Sequence, residues 1–447
     1  MAKIWLGVVA LCLAACSSSA NPPASEDRPE ESEPPETTQP PAVEPEEVDA
    51  PAEAVVEETV ETTETTTTVV DQTPESTDPP VREVPPNAQP LTYGLLWAFQ
   101  SQQLGLGNLS DPALLELPDG MLRLFFKNGN EPQMGLSGFD NKIHSFVSGD
   151  GGLTWELEDG VRIDAGSPVS VSANPEGGYD AWGWRLSPGG DQLTRFSSTD
   201  GSNFSVVGGS TLDTSSCLDT NGRPAGVLGD PQVERVADGY IAYAHDLGSG
   251  MQPPFTRQGC KLVSSDGVTW EIDGDGTFAF SHDIQTNPEL YRNADGVLEL
   301  WFPADRGMTK TTEIRTSSDG NDWELTEQLS WMANDPDRLD TSDGRELLAF
   351  GNFDHRQGGL LAVSERIEST YHAVREETPD GVRWELYGAE ADEVSVQNLC
   401  LGSDETDSLS MQGGNGAVLV EYRADPAAGF GATSCVFLVV GDLRALT

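Results

Sequence analysis

Ser148-Gly149-Asp150-Gly151-Gly152-Leu153-Thr154-Trp155 decides the fold. It reads Ser-x-Asp-x-Gly-x-Thr-Trp, and related stretches recur along the chain. Ser264-Ser265-Asp266-Gly267-Val268-Thr269-Trp270 is one residue shorter. Ser198-Thr199-Asp200-Gly201-Ser202-Asn203-Phe204, Ser317-Ser318-Asp319-Gly320-Asn321-Asp322-Trp323 and Thr378-Pro379-Asp380-Gly381-Val382-Arg383-Trp384 are variants. Each is a turn-forming set. Ser and Asp side chains bond backbone amides across a tight turn, Gly supplies a φ that other residues resist, and the aromatic ring packs between sheets.

Working outward, a polar residue and Pro open each repeat, at Asp111-Pro112, Asp230-Pro231, Asn287-Pro288 and Asp335-Pro336. An Asp-Gly pair follows eight residues on, at Asp119-Gly120, Asp238-Gly239, Asp295-Gly296 and Asp343-Gly344. Asp-Gly between apolar runs is tight-hairpin chemistry. Ser167-Pro168, turning near Glu176-Gly177-Gly178, is a degenerate copy. Residues 394–401, turning through Gly413-Gly414-Asn415-Gly416, read as a last copy without the Pro. A second apolar strand follows each turn, at 121–126, 240–244, 297–302, 346–350 and 417–422. A third strand then leads into the Ser-Asp stretch, which closes the turn to a fourth. Six such repeats predict an all-β, six-bladed β-propeller over residues 92–447. Five blades with an irregular closure is the alternative, because the last repeat has no Ser-Asp stretch.

The Ser-Asp stretches resemble the Asp box of the bacterial neuraminidase repeat family. Five of them, in register with the Pro and Asp-Gly marks, span nearly the whole folded region. The resemblance implies a sialidase-like propeller that binds or hydrolyses glycans. Sialidase chemistry itself does not carry over. The family has an Arg-Ile-Pro motif at the first inner strand, and Asp111-Pro112 stands there instead. Tyr422, at the place of a nucleophile, would point opposite to Arg423 in an alternating strand. The order Asp-Pro, strand, Asp-Gly, aromatic-rich strand is also similar to arabinanase-type propeller glycosidases. That resemblance implies Asp111 as a general base. Asp230 and Asp335 are the candidate partners in the carboxyl pair that glycoside hydrolysis requires, and no Glu matches the acid of that family.

Strand direction then places the candidate site. The start of an inner strand and the end of a second strand share one end of the axis. That end collects Asp111, Ser167, Asp230, Asn287 and Asp335. It also collects Lys127, Arg185, His245 with Asp246, Asp305 with Arg306, Asp354 with His355 and Arg356, and Arg423. A mixed-charge pocket of this kind suits a glycan, and its arginines suit an acidic sugar. The Asp-Gly and Ser-Asp turns fall at the opposite end, so their acids read as scaffold. No cofactor or metal is implied. Asp273-Gly274-Asp275 reads as a solvated turn without the spacing of a calcium loop, and His144, His282 and His372 read as structural. The alternative function is a non-catalytic scaffold whose rim binds a cell-surface protein or a cell-wall partner.

The N-terminal part reads differently. Residues 1–15 form an export signal, with Lys3 at the start and an apolar run, 4–13, too short to span a bilayer. Leu13-Ala14-Ala15-Cys16 matches a lipoprotein cleavage box, which predicts lipid on Cys16 and attachment to the extracytoplasmic face of a cell membrane. Residues 16–91 read as a disordered tether: 17–90 contain no Phe, Trp or Tyr and hold 19 acids against Arg28 and Arg82. A flexible chain of that length spans roughly 45–50 Å. Outside the reducing cytosol Cys217, Cys260, Cys400 and Cys435 are expected to pair, as 217–260 and 400–435 among three pairings. The formal net charge of −49 excludes nucleic acid as a partner. The chain reads as a monomer.

Overall fold

The apolar runs between turns form antiparallel sheets in a computed structural model of the chain. It describes residues 83–100, 106–129, 138–165, 169–187, 190–217, 224, 228–246, 258–279, 289–293, 295–305, 310–329, 333–352, 360–368, 372–378, 381–387, 394–397, 411–412, 417–424 and 433–440. All belong to the compact unit Asp78–Thr447. The export signal, Cys16 and nearly all of the tether lie outside the described residues.

Among the described residues five blades are present, which is the alternative named from the repeats. Blade 1 runs outward from the axis through Asn108–Glu116, Leu122–Gly129, Lys142–Ser148 and Glu156–Leu157. Blade 2 has Val169–Ala173, Tyr179–Ser187, Gly190–Ser198 and Ser205–Ser210. Blade 3 has Leu228–Val236, Gly239–Asp246, Gln258–Ser264 and Glu271–Ala279. Blade 4 has Glu289–Arg292, Leu298–Asp305, Lys310–Ser317 and Glu324–Leu329. Blade 5 has Asn334–Asp340, Glu346–Asn352 and Leu360–Arg366. Its fourth strand comes from the other end of the chain. Tyr93–Gln100 pairs antiparallel with Leu360–Arg366 and closes the ring.

The last repeat does not make a sixth blade. Val394–Gln397 pairs with Thr433–Val440, and that strand pairs with Ala417–Ala424, so the expected inner strand never meets its expected second strand. Ala417 touches the closing strand at Gly94, and the three strands extend blade 5 outward. Thr378 to Trp384 also departs from the expectation. Thr378 pairs directly with Gly381, so the stretch is the tip of a hairpin, His372–Thr378 with Gly381–Tyr387, which carries Gln89–Pro90 on its edge.

The four remaining Ser-Asp turns do what their chemistry requires. Ser148 Oγ donates to Asp150 Oδ1 (2.9 Å), and that oxygen accepts the amides of Leu153 (3.1 Å) and Thr154 (2.9 Å). Asp200, Asp266 and Asp319 repeat the pattern. The amides of Asn203 and Ser202 hold the Asp200 carboxyl well below its usual range, and those of Asn321 and Asp322 bring Asp319 to about 2. Hydrogen bonds to a carboxylate favour its charged form. These acids are spent on the turn, at the end of the axis away from the Pro marks, as expected.

Alternation along each inner strand sends side chains to both neighbours. In blade 1, Ala113 and Leu115 pack with Tyr179, Ala181 and Phe196 of blade 2. Leu114 points the other way, into a core with Trp97, Leu347 and Val363 of blade 5. Trp182 of blade 2 packs with Val233 and Tyr240 of blade 3, and Tyr243 of blade 3 with Leu290 and Leu300 of blade 4. Cys217 and Cys260 form the expected disulfide, with Cα atoms 5.9 Å apart, tying the segment after blade 2 to the third strand of blade 3. Cys400 and the side chain of Cys435 lie outside the described residues. Asp273-Gly274-Asp275 is not a turn. It occupies the bulged part of blade 3's outer strand, where Asp273 pairs with Lys261 at 2.9 Å.

Closure by a distant strand makes Trp97 a sensitive position. Its ring is buried between blades 5 and 1, edge-on to Phe146 at 5.3 Å. Trp97→Ala is expected to lower stability by about 3–5 kcal/mol. Urea unfolding checks this, with the midpoint falling at an unchanged slope.

Candidate functional site

Three repeat starts share one backbone device. Pairing of inner and second strands jumps from Ser110↔Lys127 to Ala113↔Phe125, from Gly229↔His245 to Gln232↔Tyr243, and from Asn334↔Gly351 to Asp337↔Ala349. At each jump an Asp and a Pro together face a single residue, which is a β-bulge. Proline lacks the N–H that a ladder needs, so a bulge is where it fits. At blades 1 and 5 the aspartate bends the chain through the left-handed region, Asp111 at φ 54° and Asp335 at φ 44°. That region disfavours L-residues by about 1–2 kcal/mol each, least for Asn and Asp.

The two aspartates come together. Asp111 is 8% exposed and Asp335 is 4% exposed. Gly351, on the second strand of blade 5, lies between them. A Cβ placed there would sit 3.8 Å from both the Asp111 nitrogen and Asp335 Oδ2, and 3.7 Å from Pro112 Cδ. The Asp335 carboxylate and the bulge of blade 1 therefore close on one point at the axial mouth. Ser110 Oγ donates to Asp111 Oδ2 at 2.5 Å and orients that carboxylate.

The other expected site residues divide. Asp230 occupies the same bulge position in blade 3. Lys127, half-buried, lies opposite Ser110 at the mouth. His245 and Asp246 end blade 3's second strand opposite Gly229 and Leu228, and Asp305 ends that of blade 4. Of the side chains of Asp230, His245, Asp246 and Asp305 nothing is described. Arg185, in blade 2's second strand opposite Gln192, is exposed. Arg423 does not belong to the inner ring. Its strand, opposite Ser434, extends outward from the closing strand, because the sixth blade is absent. Arg306, Asp354, His355 and Arg356 lie outside the described residues, as do Ser167 and Asn287.

Beneath the mouth stands a second set of acids that the repeats did not announce. Asp337 lies two residues below Asp335 and accepts the amide of Leu114 from blade 1. Glu289 of blade 4 stands near enough to Asp337 for the two carboxyls to act on each other. Glu234 of blade 3 accepts the amides of Arg292 and Arg235. Burial pushes all three carboxyls upward. For Glu289 the neighbouring Asp337 charge adds to burial, and Glu234 reaches about 7 against the opposing Arg292. The signal was in the alternation. Blade 1 has Ala113 and Leu115 two and four residues past its aspartate, where blades 3 to 5 carry Glu234, Glu289 and Asp337. Among the described residues no group of three or more His, Cys, Asp or Glu is arranged to hold a metal ion.

No family model matches the sequence, and no curated protein does. Solved structures of similar fold include a family 117 glycoside hydrolase from the marine bacterium Zobellia galactanivorans. It is 13% identical over 63% of this chain and 92% of that one, with a TM-score of 0.45. A glycosyl hydrolase from Bacteroides ovatus is 10% identical over 63% and 92%, with a TM-score of 0.41. A protein of unknown function from Dyadobacter fermentans is 15% identical over 80% and 99%, with a TM-score of 0.39. Likeness at this level assigns no chemistry to the site.

The backbone at the mouth can be tested without a ligand. Replacing Asp335 by Gly or by Ala removes the same carboxylate, but only Ala keeps the left-handed penalty. Asp335→Gly is expected to exceed Asp335→Ala in stability by about 1 kcal/mol, with the same order at Asp111. Equal unfolding midpoints for the two variants would contradict the strained geometry.

Proposed function

We propose that this protein is a surface-anchored propeller whose axial mouth binds an extracellular glycan. The observation that carries the reading is that the Asp335 carboxylate and the backbone of the Asp111 bulge meet at Gly351, with both aspartates at left-handed φ. A backbone keeps such strain where the surrounding structure imposes it, and that is most often at ligand sites. Carboxylates accept hydrogen bonds from sugar hydroxyls, and two of them reading one sugar give orientation as well as affinity. With aspartates at the mouth of so acidic a chain, the favoured ligand is a neutral glycan.

Hydrolysis is the second reading, favoured by the same pair. Glycoside cleavage uses two carboxyl groups, one donating a proton to the leaving oxygen and the other activating water or attacking carbon. Asp111 and Asp335 stand at the bulges of adjacent blades, and cleavage would require their carboxyl groups about 5–10 Å apart on either side of the glycosidic bond.

The export signal and tether complete the proposal. Lipid on Cys16 would hold the propeller outside the cytoplasm, with the acidic segment as a spacer. The Cys217–Cys260 disulfide agrees with an oxidising compartment.

A glycan array and a panel of chromogenic glycosides test the site with wild type, Asp111→Asn and Asp335→Asn. Wild type is expected to bind a neutral glycan, and each variant to lose about 10–100-fold in affinity, the worth of a hydrogen bond to a charged group. Turnover by wild type that both variants lose would decide for hydrolysis. Neither binding nor turnover by wild type would sink the glycan reading. For the anchor, wild type is expected to take up labelled palmitate and partition into detergent, and Cys16→Ser to do neither. A wild type that stays in the aqueous phase would refute lipidation.

A further inference from the structure

The mouth end of blade 1 is built up more than that of blade 2. Twelve residues, 130–141, separate its second and third strands, Leu122–Gly129 and Lys142–Ser148. In blade 2 two residues, 188 and 189, separate Tyr179–Ser187 from Gly190–Ser198. A hairpin connection needs only about two to five residues, and long connections are often kept for binding. Of the connection in blade 1, residues 138–141 are described, and they carry Phe139, 37% exposed. The other large apolar side chains left exposed among the described residues are valines and leucines.

One buried side chain fixes the backbone on both sides of Phe139. Asn128 donates from Nδ2 to the Gly138 carbonyl (3.0 Å) and to Asp140 Oδ1 (3.1 Å). Its Oδ1 accepts the Gly107 amide (2.7 Å), and its backbone carbonyl accepts the Asn141 amide (2.9 Å). Asn141 then turns through φ 56° into the third strand. Asp140 Oδ1 also accepts the Lys142 amide (3.0 Å). Asp140 Oδ2 lies 2.8 Å from Nε2 of His144, whose ring stacks on buried Phe126. Gly107 completes the frame. A Cβ there would fall 2.5 Å from Phe139 Cβ and 2.4 Å from the Gly129 carbonyl oxygen, so only glycine lets the lead-in to the inner strand pass this close. A ring mounted on so fixed a backbone has two torsions left to lose when it meets a ligand, and its contact costs little entropy.

We propose that Phe139 is a stacking platform for one sugar ring of the glycan bound at the mouth, and that the mouth therefore prefers linked sugars to single ones. The proposal rests on the mouth being the glycan site and adds where a second sugar lies. The face of a sugar ring that presents C–H bonds is apolar and weakly positive. The face of an aromatic ring is negative, so the two attract as well as exclude water. Gly107, against which Phe139 stands, is four residues ahead of Asp111 (111−107) on the chain that becomes the inner strand of blade 1. Four residues of extended backbone span about 13 Å. That exceeds one sugar ring. A ligand that touches both Asp111 and Phe139 therefore has at least two linked sugars, one read by the carboxylates and another resting on the ring.

The experiment titrates the protein with glucose, mannose, xylose and arabinose and with linked series of each, from disaccharides upward. Wild type is compared with Phe139→Ala, Phe139→Leu and Phe139→Tyr. Leucine keeps an apolar side chain without a flat face, and tyrosine keeps the face. For the sugar that wild type binds, affinity is expected to rise about tenfold from the single sugar to the shortest linked one that reaches Phe139. In Phe139→Ala and Phe139→Leu that rise is expected to be lost, and in Phe139→Tyr to be kept. Affinity for the single sugar is expected to be the same in all four proteins. A Phe139→Leu protein as tight as wild type on linked sugars, or an equal loss on single and linked sugars, would overturn the platform. So would a lowered unfolding midpoint in Phe139→Ala with affinity unchanged, which would mean that the ring packs on its own chain. Wild type that binds none of these sugars fails the reading of the mouth as well, whereas wild type that binds while every variant binds equally fails the platform alone. If Phe139→Ala does not fold, Phe139→Leu against Phe139→Tyr carries the comparison.

Discussion

Around the ring, a side chain of one blade donates a hydrogen bond to a group in the next blade's Ser-Asp turn. Arg345 of blade 5 reaches the Gly151 carbonyl of blade 1 (2.8 Å), and Arg123 of blade 1 reaches that of Asp200 (3.4 Å). In blade 2, Arg195 reaches the Asp266 carbonyl (2.8 Å) and Trp182 that of Gly267 (2.8 Å). In blade 3, Tyr243 reaches the Gly320 carbonyl and Lys261 the Asn321 side chain (2.8 Å). Each turn is rigid because its aspartate has bonded its amides, so its carbonyls are fixed acceptors. A Cβ at Gly267 would lie 3.2 Å from Tyr240 and 3.3 Å from Trp182, at a φ of 71°. Glycine is needed there for approach and for conformation together. The contact sets how far each blade turns from the last. Everything at the mouth, where blades 1 and 5 must meet to bring Asp111 to Asp335, inherits that angle.

The seam between blades 4 and 5 is made differently. Blade 5's third strand runs into no Ser-Asp stretch, so blade 4 has no such turn to grip. Arg338 takes over, pairing with Glu299, Asp340 (3.0 Å) and Glu346 (3.1 Å) and lying 4.6 Å from the centre of the Tyr291 ring. Tyr93 of the closing strand donates to Glu346, and Arg366 joins Glu346 to Glu327 of blade 4. Burial, then the Glu346 charge, raises the Tyr93 phenol well above its ordinary range, so it stays a donor. Removing one partner from such a network leaves a buried charge without compensation, which generally costs about 3–5 kcal/mol. The seam between blades 4 and 5 thus relies on this ionic network, where the other seams combine hydrogen bonds to Ser-Asp turns with apolar packing.

What was legible in the sequence follows from the range of the interactions involved. The Ser-Asp turn is local, and its hydrogen bonds span at most four residues, so its form and its scaffold role could be read directly. The Asp-Pro marks were legible because proline must sit at a bulge, and they led to Asp111 and Asp335. The blade count was open because closure pairs residues 93–100 with 360–366, and no local pattern announces such a pairing. Thr378 to Trp384 resembles the Ser-Asp stretches in sequence, yet Thr378 pairs with Gly381 and the stretch belongs to a hairpin. Glu289 and Asp337 were hidden for another reason. Among 74 acids, two more in short strands resemble surface charge, and only the folded chain brings Asp337 to the Leu114 amide of the neighbouring blade.

Both features of the axis run against stability. Left-handed aspartates are strained, and carboxyl groups kept from water favour unfolding whenever they must ionise. A propeller of apolar inner strands would avoid both, and blade 1, with Ala113 to Leu115, shows that the fold accepts such strands. The acids are instead concentrated where blades 3, 4, 5 and 1 approach the axis. They can be kept there because the rest of the ring is overdetermined: disulfide, aromatic cores, Ser-Asp turns and cationic contacts each set the same relation between blades. A rigid frame that tolerates a costly centre is the arrangement expected when the centre is selected for what it binds.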